Sequence, residues 1–181
     1  MAWQESSLTR MPLTIRRATE TDVAAITTIY NEAGVGTTAS YDLAPVSEAD
    51  RAEWLAAKRR RQFPVLVAED EGAVVGFASY GTFRDKAGYD FTVEHSVYVT
   101  AQRQSGGVGR MLMTALIDYA RGHGVHVMVG AIDAANAGSI RFHEQFGFVE
   151  SGRLLEVGRK FGLWLDVVLM TLTFEDARPQ E

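Results

Sequence analysis

The feature that most constrains this chain lies at its centre, where a two-residue alternation passes through a run of glycines into a helical repeat. Residues 91–99 put Phe91, Val93, His95, Val97 and Val99 on one side of an extended segment and Thr92, Glu94, Ser96 and Tyr98 on the other. Residues 108–121 carry apolar side chains at positions 108, 111, 112, 115, 116, 119 and 120, the stripe of a helix buried along one face. Between the two stands Gln102-Arg103-Gln104-Ser105-Gly106-Gly107-Val108-Gly109-Arg110. Strand and helix signals alternate along the rest of the chain, so the pattern predicts an α/β or mixed α+β fold with helices on the faces of a sheet.

Shorter signals fill in the other elements. Residues 13–17 read as a strand. Thr19-Glu20-Thr21-Asp22 resembles a capping box, with Asp in the Glu position, and opens a helix through Val23, Ile26, Ile29, Tyr30 and Ala33 that Gly34 and Gly36 stop. Ser47 opens a second helix that ends in Lys58-Arg59-Arg60-Arg61, a basic run that reads as cations answering a helix C-terminal dipole rather than as a phosphate patch. Residues 64–69 and 73–80 read as a hairpin around Glu69-Asp70-Glu71-Gly72. Residues 125–132 read as a buried strand, 137–146 as a short helix stopped by Gly147, and 148–157 and 163–173 as two last strands. The chain reads as a polar lead-in over 1–11, one domain over 12–176 and a polar tail over 177–181.

Composition narrows the class of function. The 18 basic and 23 acidic residues leave a net charge of −5, which supplies no general pull toward nucleic acid or anionic lipid. The absence of cysteine excludes a disulfide scaffold, a thiolate zinc site and a cysteine nucleophile. No His, Asp and Glu grouping has metal-ligand spacing, no apolar run reaches the ~20 residues of a membrane span, and the first residues lack the apolar middle of a signal peptide. A cytoplasmic protein is expected.

The glycine junction is the candidate site. Glycines between a strand and a helix N-terminus let backbone N–H groups approach a ligand without Cβ obstruction, and the helix dipole adds positive charge there. The result is a diphosphate cradle to which Arg103 and Arg110 can add full charges. It is not a Walker loop, because no Gly-Lys-Ser/Thr follows. Nor does it stand on a first strand with an acidic residue about 20 positions on, as a dinucleotide fingerprint requires.

Gln104-x-x-Gly107-x-Gly109 is similar to the Q/R-x-x-G-x-G/A motif of the GNAT superfamily of acetyl-CoA-dependent N-acetyltransferases. Asn136, then Ser139-Ile140-x-Phe142-His143-x-x-x-Gly147-Phe148, resembles that family's second signature. Residues 92–99, Tyr30-Asn31-Glu32-Ala33, Thr37-Thr38-Ala39-Ser40 and Gly158-Arg159-Lys160-Phe161-Gly162-x-Trp164-x-Asp166 resemble the phosphinothricin and methionine sulfoximine acetyltransferases of the superfamily. The resemblance covers residues 13–174. It implies a mostly antiparallel twisted sheet of six to seven strands with about four helices, and acetyl-CoA bound at a splayed strand pair. It also implies a small amino acid as acceptor, no metal, and a homodimer.

Acetyl transfer to an amine needs a base for the ammonium, stabilisation of the thioester oxygen and a proton for the leaving thiolate. Glu94, on the polar side of the strand that leads into the cradle, is the candidate base, and the resemblance points to the same residue. His95 points to the opposite side by the same alternation and reads first as a core or helix-facing histidine. His143 stands where many members of the superfamily have a tyrosine thought to protonate the thiolate, and water is the competing acid. His123 and His126 read as structural. The resemblance implies donor contacts from Val97, Tyr98 and Val99, from Gln104, Ser105, Gly106, Gly107, Val108, Gly109 and Arg110, and from Asn136, which also reads as an N-cap. On the acceptor side Arg84 and Lys86, with Asp85 between them, are expected to meet a carboxylate. Glu94, His95 and Ser96 would meet the amine and tail, and Tyr30 and Thr37 would close the pocket. Competing readings keep acetyl-CoA but change the acceptor to a peptide N-terminus or another amine, or reduce the chain to a non-catalytic acetyl-CoA sensor, for which Glu94 would be superfluous.

Overall fold

The computed structural model describes residues 13–175, so the expected lead-in and tail lie outside the described residues. Seven strands, β1 (Thr14–Arg17), β2 (Val65–Asp70), β3 (Ala73–Thr82), β4 (Thr92–Val99), β5 (Val127–Asp133), β6 (Val149–Lys160) and β7 (Leu163–Thr173), form one sheet in the order β1-β2-β3-β4-β5-β7-β6. Every neighbouring pair is antiparallel except β4 and β5. Four helices, α1 (Val23–Ile29), α2 (Glu48–Arg60), α3 (Val108–Gly122) and α4 (Ala137–Glu144), complete the mixed α/β architecture that the sequence predicts.

Two apolar layers sandwich the sheet. Leu112, Met113 and Leu116 of α3 pack with Met128, Phe148 and Val168 on one face. Ile26 of α1 and Leu55 of α2 pack with Val67, Phe77 and Tyr98 on the other. Burying a side chain of this size contributes about 1.5–3 kcal/mol before entropy is counted, so both layers are needed to hold the helices down. Asp22 and Asp50 close the capping boxes of Thr19 and Ser47 as the spacing predicts.

The β4 alternation holds without a bulge. Its register pairs His95 with Tyr80, Val97 with Ala78 and Val99 with Gly76 on the α3 side. Tyr98 pairs with Phe77, Ser96 with Ser79 and Glu94 with Gly81 on the side roofed by α1 and α2. Phe91 is an exception to the predicted strand: it precedes β4 and is exposed.

The helix expected through Ala33 changes character at Tyr30. Residues Tyr30–Val35 form a wider π-helical turn, a form of helix common at functional sites. Gly34 explains why the chain can do this, since a Cβ there would stand 3.0 Å from the Tyr98 ring and 3.2 Å from that of Tyr30. The missing side chain lets the turn settle on β4. Asn31 then fastens the following loop, its side-chain amide donating to the Val46 carbonyl and its oxygen accepting from the Val46 N–H, both at 2.9 Å.

Candidate active site

β4 and β5 pair only at Thr92–Val127, Val93–Met128 and Glu94–Val129. Beyond Glu94, β4 stays with β3 as far as Val99 while β5 stays with β7 as far as Asp133, so the two strands part. The gap opens into a cleft of about 900 Å³ whose walls include Val97, Tyr98, Val99, Gln104, Ser105, Gly107, Gly109, Arg110, Asn136 and His143. Most of the residues expected to meet the donor are therefore brought together. Val108 is not one of the walls: its side chain is buried in the α3 core. Gly106 donates its N–H to the Arg103 carbonyl at 3.2 Å and also lies outside the lining.

The glycine loop has the conformation a phosphate cradle needs. Ser105 and Gly107 both take positive φ, +66° and +82°, which turns the chain sharply into α3. No side chain caps α3, so its first-turn amides, which have no intrahelical acceptors, face the cleft end with the positive end of the dipole. These groups fit a diphosphate. The two arginines are partly committed: Arg103 pairs with the buried carboxylate of Asp70, and Arg110 donates to Gln145 Oε1 at 2.5 Å. Asn136 Oδ1 accepts the Ser139 N–H at 2.9 Å as the N-cap of α4, while its residue also lines the cleft.

A second cavity of about 390 Å³ lies under α1 and α2, lined by Tyr30, Asp42, Arg51, Trp54 and Lys58 among others. Glu94, His95, Ser96 and Tyr98 line both cavities, so β4 is the wall through which they meet. Tyr30 is fixed there by hydrogen bonds from its hydroxyl to Asp42 Oδ2 at 2.5 Å and with Ser40 Oγ at 2.8 Å.

Four expected acceptor residues fall outside this lining. Thr37 turns its hydroxyl back onto the Ala33 carbonyl at 2.7 Å to finish the π-helical turn, and the neighbouring residues 38–40 line the cleft in its place. Arg84, Asp85 and Lys86 are exposed on the connection from β3 to β4, where Arg84 lies 5.0 Å over the Phe83 ring. Arg84 still reaches the site through its charge, which acts on Glu94. Two cations in the second cavity, Arg51 and Lys58, were not expected. The sign was present in the sequence: Arg51, Trp54, Leu55 and Lys58 share one helical face, so two cations occupy the face that packs inward. Arg59 and Arg60 pair with Glu20 and Glu53 at the surface, while Lys58 turns inward.

Electrostatics separate the titratable groups. Glu94 opens onto solvent through the cavity, yet the surrounding walls desolvate its carboxyl and push its pKa up, while Arg84 and Lys58 pull it part of the way back. A carboxyl raised toward neutrality is suited to exchanging protons with an amine. His143 is buried and its pKa is lowered by desolvation. Its Nδ1 lies 2.7 Å from the Ser139 carbonyl, which can only accept, so Nδ1 carries the hydrogen and Nε2 offers a lone pair. His95 is pushed down to about 3 by burial first and by His143 second. Its ring packs 5.1 Å from His143 and 5.3 Å from Phe148, on the face of β4 opposite Glu94, and the residue also borders both cavities. Gly130 makes room for this pair, since a Cβ there would lie 3.0 Å from His95 Nε2 and 3.2 Å from His143. His123 and His126 face the Tyr119 and Phe174 carbonyls, far from either cavity lining.

Among the described residues no group of three His, Asp or Glu side chains could hold a metal, and no helix is long and apolar enough to cross a membrane.

Comparison with known proteins accounts for this geometry. The model of the acetyltransferase (GNAT) family matches residues 24–148. The L-methionine sulfoximine/L-methionine sulfone acetyltransferase of Pseudomonas paraeruginosa is 46% identical over 169 residues, covering 93% of this chain and 98% of that one. The crystal structure of a phosphinothricin acetyltransferase from Sinorhizobium meliloti in complex with acetyl-CoA is 33% identical, with a TM-score of 0.89 over 94% of this chain and 95% of that one. The crystal structure of a ribosomal-protein-alanine N-acetyltransferase from Brucella melitensis is 47% identical, with a TM-score of 0.88 over 90% of this chain and all of that one. With its parted strands, uncapped helix and both sequence signatures in place, the chain belongs to the acetyltransferase (GNAT) family.

Proposed function

We propose that this protein transfers the acetyl group of acetyl-CoA to the α-amino group of a small amino acid, the class to which L-methionine sulfoximine, L-methionine sulfone and L-phosphinothricin belong. The observation that carries this reading is the meeting of two cavities at Glu94, one with a diphosphate cradle and one with side-chain polarity sized for a small acceptor. Acetyl-CoA would lie in the first, its diphosphate on residues 105–110, its pantetheine along Val97 and Val99 and a further contact at Asn136. It supplies an acetyl thioester, which an unprotonated amine attacks directly. Glu94 takes a proton from the acceptor's ammonium, directly or through water. His143, through its Nε2 lone pair, takes the proton that the attacking nitrogen sheds from the tetrahedral adduct and passes it to the departing sulfur. Tyr30 and Ser96 bound the acceptor, and the charge of Arg84 acts on Glu94 from outside the lining.

The apolar exposure of the last hairpin fits a homodimer. Leu155, Val157, Phe161, Leu163 and Trp164 of β6, β7 and their turn are all more than half exposed, a cluster better suited to a partner copy than to water. Acetyl-CoA as donor places the work in the cytoplasm. Light scattering at twice the mass of the chain is the expected result for the dimer.

A second reading, a peptide N-terminus as acceptor, rests on the similarity to the Brucella melitensis protein, which is named a ribosomal-protein-alanine N-acetyltransferase. The deciding experiment measures thiol release from acetyl-CoA with L-methionine sulfoximine, L-methionine sulfone, L-phosphinothricin, spermidine, kanamycin and an N-terminal peptide. Turnover confined to the three amino acids supports the proposal. Turnover confined to the peptide moves the function to the second reading, and acetyl-CoA binding without turnover moves it to a sensor.

A further inference from the structure

The buried face of α2 carries chemistry that acetyl transfer alone does not explain. Arg51 is 6% exposed, and its guanidinium carbon lies 4.0 Å from the centre of the Tyr30 ring and 4.7 Å from that of Trp54. Its Nε–H is buried with no acceptor. Two turns further on, the Lys58 ammonium donates to the Tyr80 carbonyl at 2.8 Å, which uses one of its three N–H groups.

Among the described residues neither cation has a carboxylate within ion-pair distance. The acids nearest in the cavity are committed elsewhere. Asp42 accepts from Tyr30, and Asp50 accepts from the Ser47 hydroxyl and N–H. Glu94 shares the cavity with both cations and feels the charge of Lys58. Two like charges lining one desolvated chamber disfavour each other unless an anion joins them. Burial, with Arg61 and Arg51 beside it, lowers Lys58 to about 8. Gly81 completes the arrangement: a Cβ on it would stand 2.6 Å from Lys58 Nζ, so the ammonium occupies the space that the glycine leaves.

An α-amino acid presents its carboxylate one tetrahedral carbon from its amine. With the acceptor on the α2 side of Glu94, its carboxylate lies in the smaller cavity, where buried Arg51 and half-buried Lys58 are the cations of the lining. We propose that Arg51 and Lys58, on the inward face of α2, together receive the carboxylate of the acceptor and so select amino acids over simple amines. This rests on the amino-acid acetyltransferase reading above, and it gives the carboxylate to α2 rather than to the exposed loop of Arg84 and Lys86.

The test compares L-methionine sulfone with its decarboxylated counterpart, 3-(methylsulfonyl)propan-1-amine, by thiol release. The wild type is expected to prefer the amino acid by about 100-fold or more in kcat/KM, the effect of losing hydrogen bonds to charged groups. Lys58→Met and Arg51→Lys are expected to narrow that preference by about 10-fold or more through KM for the sulfone. Any effect of Lys58 on Glu94 acts on both substrates and cancels in the ratio. Gly81→Ala keeps every charge and asks only the flexible end of Lys58 to move, so it folds and narrows the preference as well. Equal use of the two substrates by the wild type, or an unchanged ratio in Lys58→Met and Gly81→Ala, overturns the proposal. Failure of the wild type on every amino acid in the panel above overturns the amino-acid reading itself, and it is seen before any variant is made.

Discussion

Replacing Glu94 by Gln removes the proposed base while keeping shape and one hydrogen-bonding oxygen. Burial holds this carboxyl above its ordinary value of 4.5, with Arg84 and Lys58 opposing. The sign of the pH dependence follows. Below the raised pKa the carboxyl is protonated and cannot take a proton from the ammonium, so kcat/KM should fall as the pH drops through that value. Gln cannot make the transfer at any pH, and loss of a general base costs about 10²–10⁴-fold, equivalent to roughly 3–5 kcal/mol of transition-state stabilisation. Stability should move the other way. A carboxyl whose pKa is raised by folding weakens the fold as the pH rises from the unfolded value through the folded one, so the neutral amide should leave Tm unchanged or higher near neutrality. The assay is thiol release across pH 5–9 (about neutral, where the base must work), with acetyl-CoA affinity measured by calorimetry and Tm in the same buffers. The reasoning is refuted if Glu94→Gln retains more than about a tenth of wild-type kcat/KM, since a positioned base is worth more than that. Survival of the acidic limb in the variant refutes it equally.

Other expectations follow from particular contacts. Asn136→Ala deletes the cap of α4, so it should cost about 1 kcal/mol in urea titrations and raise KM for acetyl-CoA. Gly107→Ala meets no atom within 4 Å but must hold φ at +82°, so a loss of about 1 kcal/mol with weaker acetyl-CoA binding is expected from calorimetry. Phe77→Ala empties a site shared by Trp54 and Tyr98 and should cost about 3–5 kcal/mol, read as a large fall in Tm. His95, held near 3, must remain neutral in the fold but protonates freely when unfolded, so stability should fall as the pH drops below about 6.5. The slope is about 1 kcal/mol per pH unit, and urea midpoints of His95→Gln should show it reduced.

Much of this was legible from spacing. The period of two in β4 placed Glu94 and His95 on opposite faces, and the Gly107 turn placed the cradle, because both depend on local backbone geometry. What sequence spacing missed depends on tertiary contact. Lys58 looked like a helix-end cation because helix ends and helix faces coincide at that position; only β3 packing against α2 turns it inward over Gly81. Arg51 by itself carries no distinguishing local signal, and Tyr30 and Trp54 close over it only in the fold. Thr37 was expected in the pocket, but its hydroxyl had a nearer acceptor in the carbonyl at the end of the π-helical turn. Arg84 and Lys86 had the right charge, and their loop carries them to the surface.

The parting of β4 from β5 also divides the molecule by how each half tolerates change. The donor side is shaped largely by main chain: a gap between two strands, amides at one helix end, a loop at positive φ. Substitutions of most side chains there leave those groups where they are. The cavity proposed for the acceptor is lined mostly by side chains, Tyr30, Arg51, Trp54, Lys58 and Glu94 among them. If the proposed acceptor side holds, a change of acceptor asks for new side chains on one wall and leaves the main-chain cradle for the acyl donor untouched.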